Sequence, residues 1–147
     1  MIKEEKCDLF SKKDEYWLAH CISADFALGK GIALQFNEHF NMKNKLLNEF
    51  SFKWDNEGYC LIAENTPVFN LVTKKRCWNK PTYETLRQAL VSMKEKMIEL
   101  NVKKVAMPLI GCGLDKLEWD KVKTMIEEIF DDNVEIIVCF YSEKIEQ

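Results

Sequence analysis

The sequence predicts an α/β protein, a sheet of buried strands with helices on both faces. Three observations carry this. Short apolar runs recur at 15–23, 58–65, 67–74, 103–110 and 134–141, bounded by turn residues or charges. Between most of them lie stretches with helical periodicity, and strands alternating with helices of this length build sheets covered on both sides. The clearest helix spans 82–100, where Tyr83, Leu86, Leu90, Met93, Met97 and Leu100 recur at steps of 3, 4, 3, 4 and 3 to make one apolar stripe.

The elements follow in order. "EYWLAHCIS" (15–23) is a short apolar run and reads as a buried strand. "ADFALGKGIALQF" follows, its two glycines opening a helical pattern through Ile32, Ala33, Leu34, Phe36, His39 and Phe40, and "MKNKLLNEF" (42–50) continues as helix. "GYCLIAEN" (58–65) and "PVFNLVTK" (67–74) read as neighbouring strands joined by a turn at "ENTP". Pro81 and Thr82 suit the first turn of the 82–100 helix. "KKVAMPLI" (103–110) is a buried strand, and "EWDKVKTMIEEIF" (118–130) a helix with Val122, Ile126 and Ile129 or Phe130 inward. "VEIIVCFY" (134–141) is the last strand.

A chain of 147 residues is expected to form one domain with a core of its own. With 47% hydrophobic residues, only three Pro and five Gly, it is neither disordered nor fibrous. The net charge is −3 and cations are scattered among anions, so no basic stripe marks a large nucleic-acid footprint; a local basic patch remains at 74–76. The six cysteines (7, 21, 60, 77, 112, 139) are widely spaced, form no CxxC, and in part sit inside apolar runs. They read as free thiols in a reducing compartment. His20 and His39 lack ligand spacing with any cysteine pair, so no metal site is expected, and nothing calls for a cofactor. "MIKEEKCDLF" has no apolar signal core, and no stretch approaches the roughly 18–20 apolar residues that span a bilayer. The expectation is a cytoplasmic monomer with no membrane partner.

In α/β sheets ligands bind beyond the carboxyl ends of strands, and four such segments carry unusual chemistry. Asp8 follows the opening segment; read alone it is a cap or turn residue. Gly29 and Gly31 straddle Lys30 before a helix, where backbone N–H groups and the helix dipole favour an anion; a Gly-capped loop fits the same letters. "VTKKR" (72–76) ends an apolar run in three cations. Lys75 and Arg76 read as solvated charges, whereas Lys74 ends the run itself, and an amine partly desolvated beside other cations becomes a nucleophile. In "MPLIGCGLDKLEW" (107–119) two glycines flank Cys112, suggesting a backbone nest for phosphate, while Asp115 reads equally as a helix cap or an acid–base group. Cys112 reads as structural, since no histidine accompanies it.

Together "HCIS" with "GKGIA", "LVTKKR" with "KPTYETL", and "MPLIGCGLDKLEW" with "MIEEIF" resemble a macrodomain, of the terminal ADP-ribose protein glycohydrolase branch, over about residues 6–140. The resemblance implies a three-layer α/β/α fold with a mixed central sheet and a cleft for ADP-ribose. It implies that Asp8 accepts from the adenine amino group and that Leu9 lines that pocket. Ser23 and the loop Gly29, Lys30, Gly31, Ile32 and Ala33 would hold the distal ribose and diphosphate. Ile110, Gly111, Cys112, Gly113 and Leu114 would cradle the phosphates through backbone amides. Lys74, preceded by Thr73 in the site, would be the catalytic lysine and Asp115 its acid–base partner. Relatives in that branch take ADP-ribose off acidic protein side chains or off DNA bases, so ADP-ribosylated protein or DNA is the implied partner. A binding module without chemistry and a phosphatase acting on ADP-ribose 1″-phosphate are the alternatives. Three positions depart from the family pattern. Lys6–Cys7 precede Asp8 where a glycine is usual, Leu109 replaces a basic residue, and Cys139 stands where an adenine-stacking aromatic is expected, leaving Phe140 or Tyr141 for that role.

Overall fold

The computed structural model describes residues 1–141. Six strands form one sheet: β1 (Ile2–Lys6), β2 (Trp17–Ser23), β3 (Tyr59–Leu61), β4 (Val68–Lys74), β5 (Lys104–Met107) and β6 (Glu135–Phe140), in the spatial order β1-β6-β5-β2-β4-β3. All neighbours are parallel except β3 and β4, so the sheet is mixed. The helices are α1 (Gly31–Phe40), α2 (Met42–Glu49), α3 (Tyr83–Leu100) and α4 (Trp119–Ile129), with a 3-10 turn at Leu9–Lys12.

β4 shows why three layers form. Phe69 and Leu71 join Leu86, Leu90 and Met93 of α3 and Val122 and Ile126 of α4 in one buried cluster. The alternate residues Val68 and Val72 join Phe36, Met42 and Leu46 of α1 and α2 in the other. Successive side chains of a strand point to opposite faces, so one continuous apolar run serves both helical layers.

The predicted helices and five predicted strands are present, with shorter bounds. β3 keeps three residues of the 58–65 run, and β5 four of 103–110. Pro81 and Thr82 stand before α3 rather than in it. Thr82 is the N-cap, its hydroxyl accepting from Thr85 N–H at 3.0 Å, while Thr85 Oγ1 accepts from Thr82 N–H. Leu100 leaves the apolar stripe and is 48% exposed, because the helix ends there at Asn101 in the left-handed region.

One strand, at the opening segment, has no apolar run of its own. "IKEEK" has a single apolar residue, yet β1 pairs in register with β6 from Ile2↔Ile136 to Lys6↔Phe140. Backbone pairing, not side-chain pattern, makes it a strand, and its Lys and Glu residues suit a sheet edge. Glu4 anchors it to α4 by accepting from Trp119 Nε1 (3.1 Å) and Lys123 Nζ (2.8 Å).

Candidate active site

The sheet order places a crevice where the fold changes direction. From β2 the chain runs outward to β3 and β4, and from β5 it runs the other way to β6. β2 and β5 pair only at Trp17↔Val105 and Leu18↔Ala106. Past that point β2 continues to Ser23, and Cys21, Ile22 and Ser23 line a cavity of about 750 Å³. That size suits a small-molecule ligand, and the position is the one at which open α/β sheets bind ligands.

The register between β2 and β4 shifts between Ile22 and Ser23, setting Ser23 opposite Lys74. Lys74 turns inward, and its Nζ donates to Asp115 Oδ1 at 2.7 Å with both side chains 14% exposed. The three consecutive cations diverge. Arg76 lies over the Phe52 ring, 4.3 Å from its centroid, and Lys75 is exposed. What stands beside the amine is therefore a carboxylate, rather than a second cation as the sequence suggested. The cap reading of Asp115 falls away, because α4 begins at Trp119 with Glu118 as its N-cap.

Three loops complete the cavity. Residues 29–33 enter α1, whose N-cap Lys30 makes no side-chain capping bond, so the first amides of the helix remain open to a ligand. The loop after β5 is a compact turn in which Leu117 N–H donates to Gly111 O (2.7 Å) and Lys116 N–H to Gly113 O (3.1 Å). Gly111 has φ +73, and a Cβ there would lie 2.9 Å from Leu117 Cδ1. A Cβ on Gly31 would lie 3.2 Å from Leu114 Cδ1, so the two glycine loops meet across the cavity. The third loop, 75–80, is held by Asp25. That carboxylate accepts from Ser23 Oγ (2.5 Å), Ala27 N–H (3.2 Å) and Cys77 N–H (3.0 Å). Burial alone would raise its pKa; these hydrogen bonds outweigh that and hold it below the usual carboxylate range. Lys80 Nζ then ties this loop to Leu114 O at 2.7 Å.

Of the residues expected in the site, Ser23, Gly29, Lys30, Gly31, Ile32, Ala33, Lys74, Ile110, Gly111, Gly113, Leu114 and Asp115 line the one cavity. Five stand outside its lining. Leu9 opens the 3-10 turn and is buried in the core. Thr73 is buried with Oγ1 unpartnered among the described residues. Cys112 is buried, its thiol directed to Ile110 O (3.3 Å) and pushed up to about 12 by burial, which suits a structural thiol. Phe140 ends β6 and is half-buried against the α3–α4 cluster. Asp8 caps the 3-10 turn through Phe10 N–H (3.0 Å) and accepts from the Tyr141 hydroxyl (2.7 Å), so the aromatic beside Asp8 is Tyr141.

Sequence reasoning missed Asp25, Cys77, Trp78, Lys80 and Lys116. Only the Ser23-x-Asp25 spacing offered a signal, that of a local side-chain turn. Cys21 also lines the cavity; burial pushes its thiol well up, helped by the Asp115 carboxylate, which favours the neutral thiol. Four lysines (30, 74, 80, 116) face one carboxylate, Asp115, around the cavity, although the chain as a whole is acidic.

A mixed α/β sheet with a cationic, amide-lined crevice at its switch point has the electrostatics that favour an anionic ligand. The macro domain family model matches residues 20–126, and the chain belongs to that family. It is 43% identical over 126 residues to human ADP-ribose glycohydrolase OARD1, covering 86% of this chain and 82% of that protein. It is 28% identical over 131 residues to the DNA ADP-ribosyl glycohydrolase of Thermus aquaticus, covering 82% of this chain and 36% of that one. Its fold matches the macrodomain of Mycobacterium tuberculosis DarG with a TM-score of 0.76 at 23% identity, covering 97% of this chain and 99% of that one.

Proposed function

We propose that this chain is an ADP-ribosyl glycohydrolase that frees ADP-ribose from modified macromolecules, acidic protein side chains or DNA bases, through Lys74 and Asp115. The observation that carries the reading is the Lys74–Asp115 pair, 2.7 Å apart and largely withdrawn from water at the strand ends. The name of the relative at 43% identity, ADP-ribose glycohydrolase, supports it.

The chemistry follows from the pair. A proton passes from the Lys74 ammonium to Asp115, leaving a neutral amine. The amine attacks the anomeric carbon of the distal ribose; a C–N bond forms as the bond to the macromolecule breaks, and Asp115 returns the proton to the leaving group. Water then resolves the lysine adduct, giving free ADP-ribose and regenerating Lys74. The open amides of α1 and the loop 110–114 suit the diphosphate. A cleft that only bound ADP-ribose would need neither the amine nor its carboxylate partner.

The test is incubation with a glutamyl-ADP-ribosylated protein and with ADP-ribosylated single-stranded DNA, following free ADP-ribose by mass spectrometry. Wild type is expected to release it from at least one substrate and Lys74→Ala and Asp115→Ala from neither. Binding of ADP-ribose without release would favour a binding module, and inorganic phosphate freed from ADP-ribose 1″-phosphate would favour the phosphatase.

A further inference from the structure

Trp78 is 74% exposed, the most exposed large hydrophobic residue among those described, and it lines the cavity that holds Lys74 and Asp115. It adds nothing to either core cluster. Its indole N–H makes no hydrogen bond among the described residues. Four hydrogen bonds hold the turn that carries it. Asn79 N–H donates to Arg76 O (3.0 Å), Arg76 N–H to Asn79 Oδ1 (2.9 Å), Cys77 N–H to Asp25, and Lys80 to Leu114 O. An indole held in water on a fourfold-tethered turn at the mouth of a cavity is preorganised for a flat, apolar partner.

We infer that Trp78 is a stacking platform for an unpaired nucleobase, so that the modified macromolecule at this mouth is a single-stranded nucleic acid. The inference rests on the glycohydrolase reading for its placement. Asp8 and Tyr141 follow β1 and β6, at one end of the strand order, and Trp78 follows β4, beyond β5 and β2. A ligand lying along the strand ends with its adenine toward Asp8 puts its distal ribose at Lys74 and the attached macromolecule at Trp78. Cations accompany Trp78 in the chain and in the cavity lining. Lys75 is exposed, Lys116 lines the cavity, and Arg76 stacks on Phe52, itself 45% exposed. Aromatic faces interleaved with cations are the pattern that holds single strands without sequence readout. An acidic peptide would be served by the lysines alone and would gain nothing from an exposed indole.

The test compares Trp78→Ala and Trp78→Phe with wild type in two arms. The first measures kcat/KM on an ADP-ribosylated single-stranded oligonucleotide and on a glutamyl-ADP-ribosyl peptide. The second measures binding of the unmodified oligonucleotide by anisotropy at low salt. Trp78→Ala is expected to lose about 10- to 100-fold in kcat/KM on the oligonucleotide, chiefly through KM, and a like factor in its binding. Trp78→Phe restores most of both, and the peptide changes less than about twofold. Equal losses on both substrates, a loss on the peptide alone, or no loss on the oligonucleotide overturns the platform. If wild type acts on neither substrate, the glycohydrolase reading fails, and the binding arm still decides: loss of oligonucleotide binding in Trp78→Ala keeps the platform, and unchanged binding ends it.

Discussion

In the proposed mechanism Lys74 and Asp115 each supply what the other needs, a nucleophile to be deprotonated and a base to do it. Two substitutions separate charge from chemistry. Lys74→Arg keeps a cation at the end of β4, yet its guanidinium stays protonated and cannot attack. Release of ADP-ribose should disappear while calorimetry still detects ADP-ribose binding. Asp115→Asn keeps the shape and removes the proton acceptor, and kcat should fall by about 10²–10⁴-fold. The two residues were not equally legible. Lys74 stood out because it terminates an apolar run. Asp115 could not be told from a helix cap, because its partner lies 41 residues away and the true N-cap, Glu118, is three residues further on. Trp78 left no signal, since exposure at a turn is decided by the loops that pin the turn.

At the scale of elements, two glycines hold the architecture for different reasons. Gly111 occupies the left-handed region, where a side chain costs about 1–2 kcal/mol in strain. Gly111→Ala also pushes into Leu117, so it should loosen the 110–114 loop and weaken ADP-ribose binding measured by calorimetry. Gly58 makes a close approach instead. A Cβ there would lie 1.9 Å from the carbonyl oxygen of Thr85 in α3. Gly58→Ala must force β3 and α3 apart and should cost about 3 kcal/mol, read as a lower urea midpoint. The strongly periodic elements were legible, α3 and α4 above all, because their inward residues recur on one face. β1 was not, because an edge strand is specified by the backbone of β6 and not by its own alternation.

For the whole molecule, His20 links the layers. It is fully buried on β2, stacks on Phe36 of α1 at 3.8 Å between centroids, and donates from Nε2 to Asn70 Oδ1 on β4 at 2.6 Å. Asn70 in turn donates to Leu61 O of β3. Burial lowers the pKa of His20 to about 4 from an ordinary 6.5, despite the hydrogen bond to Asn70. The unfolded chain therefore binds the extra proton first. Stability is intact above pH 6.5 and is lost as pH falls from 6.5 towards 4, by about 3 kcal/mol from this group. Urea midpoints at pH 7.5, 5.5 and 4.5 should fall in that order, and His20→Leu should flatten the decline between the first two. The layering was legible from strand and helix alternation. The strand order was not, because pairing joins distant segments such as Ile2 and Ile136.

Whether Lys74 itself attacks the ribose is decided by a rapid-quench time course on an ADP-ribosylated substrate. The Lys74 peptide is followed by mass spectrometry in wild type and in Lys74→Arg. ADP-ribose is expected to appear covalently on Lys74 and to decay as free ADP-ribose accumulates, with no release from Lys74→Arg. Release by Lys74→Arg at the wild-type rate would contradict attack by Lys74.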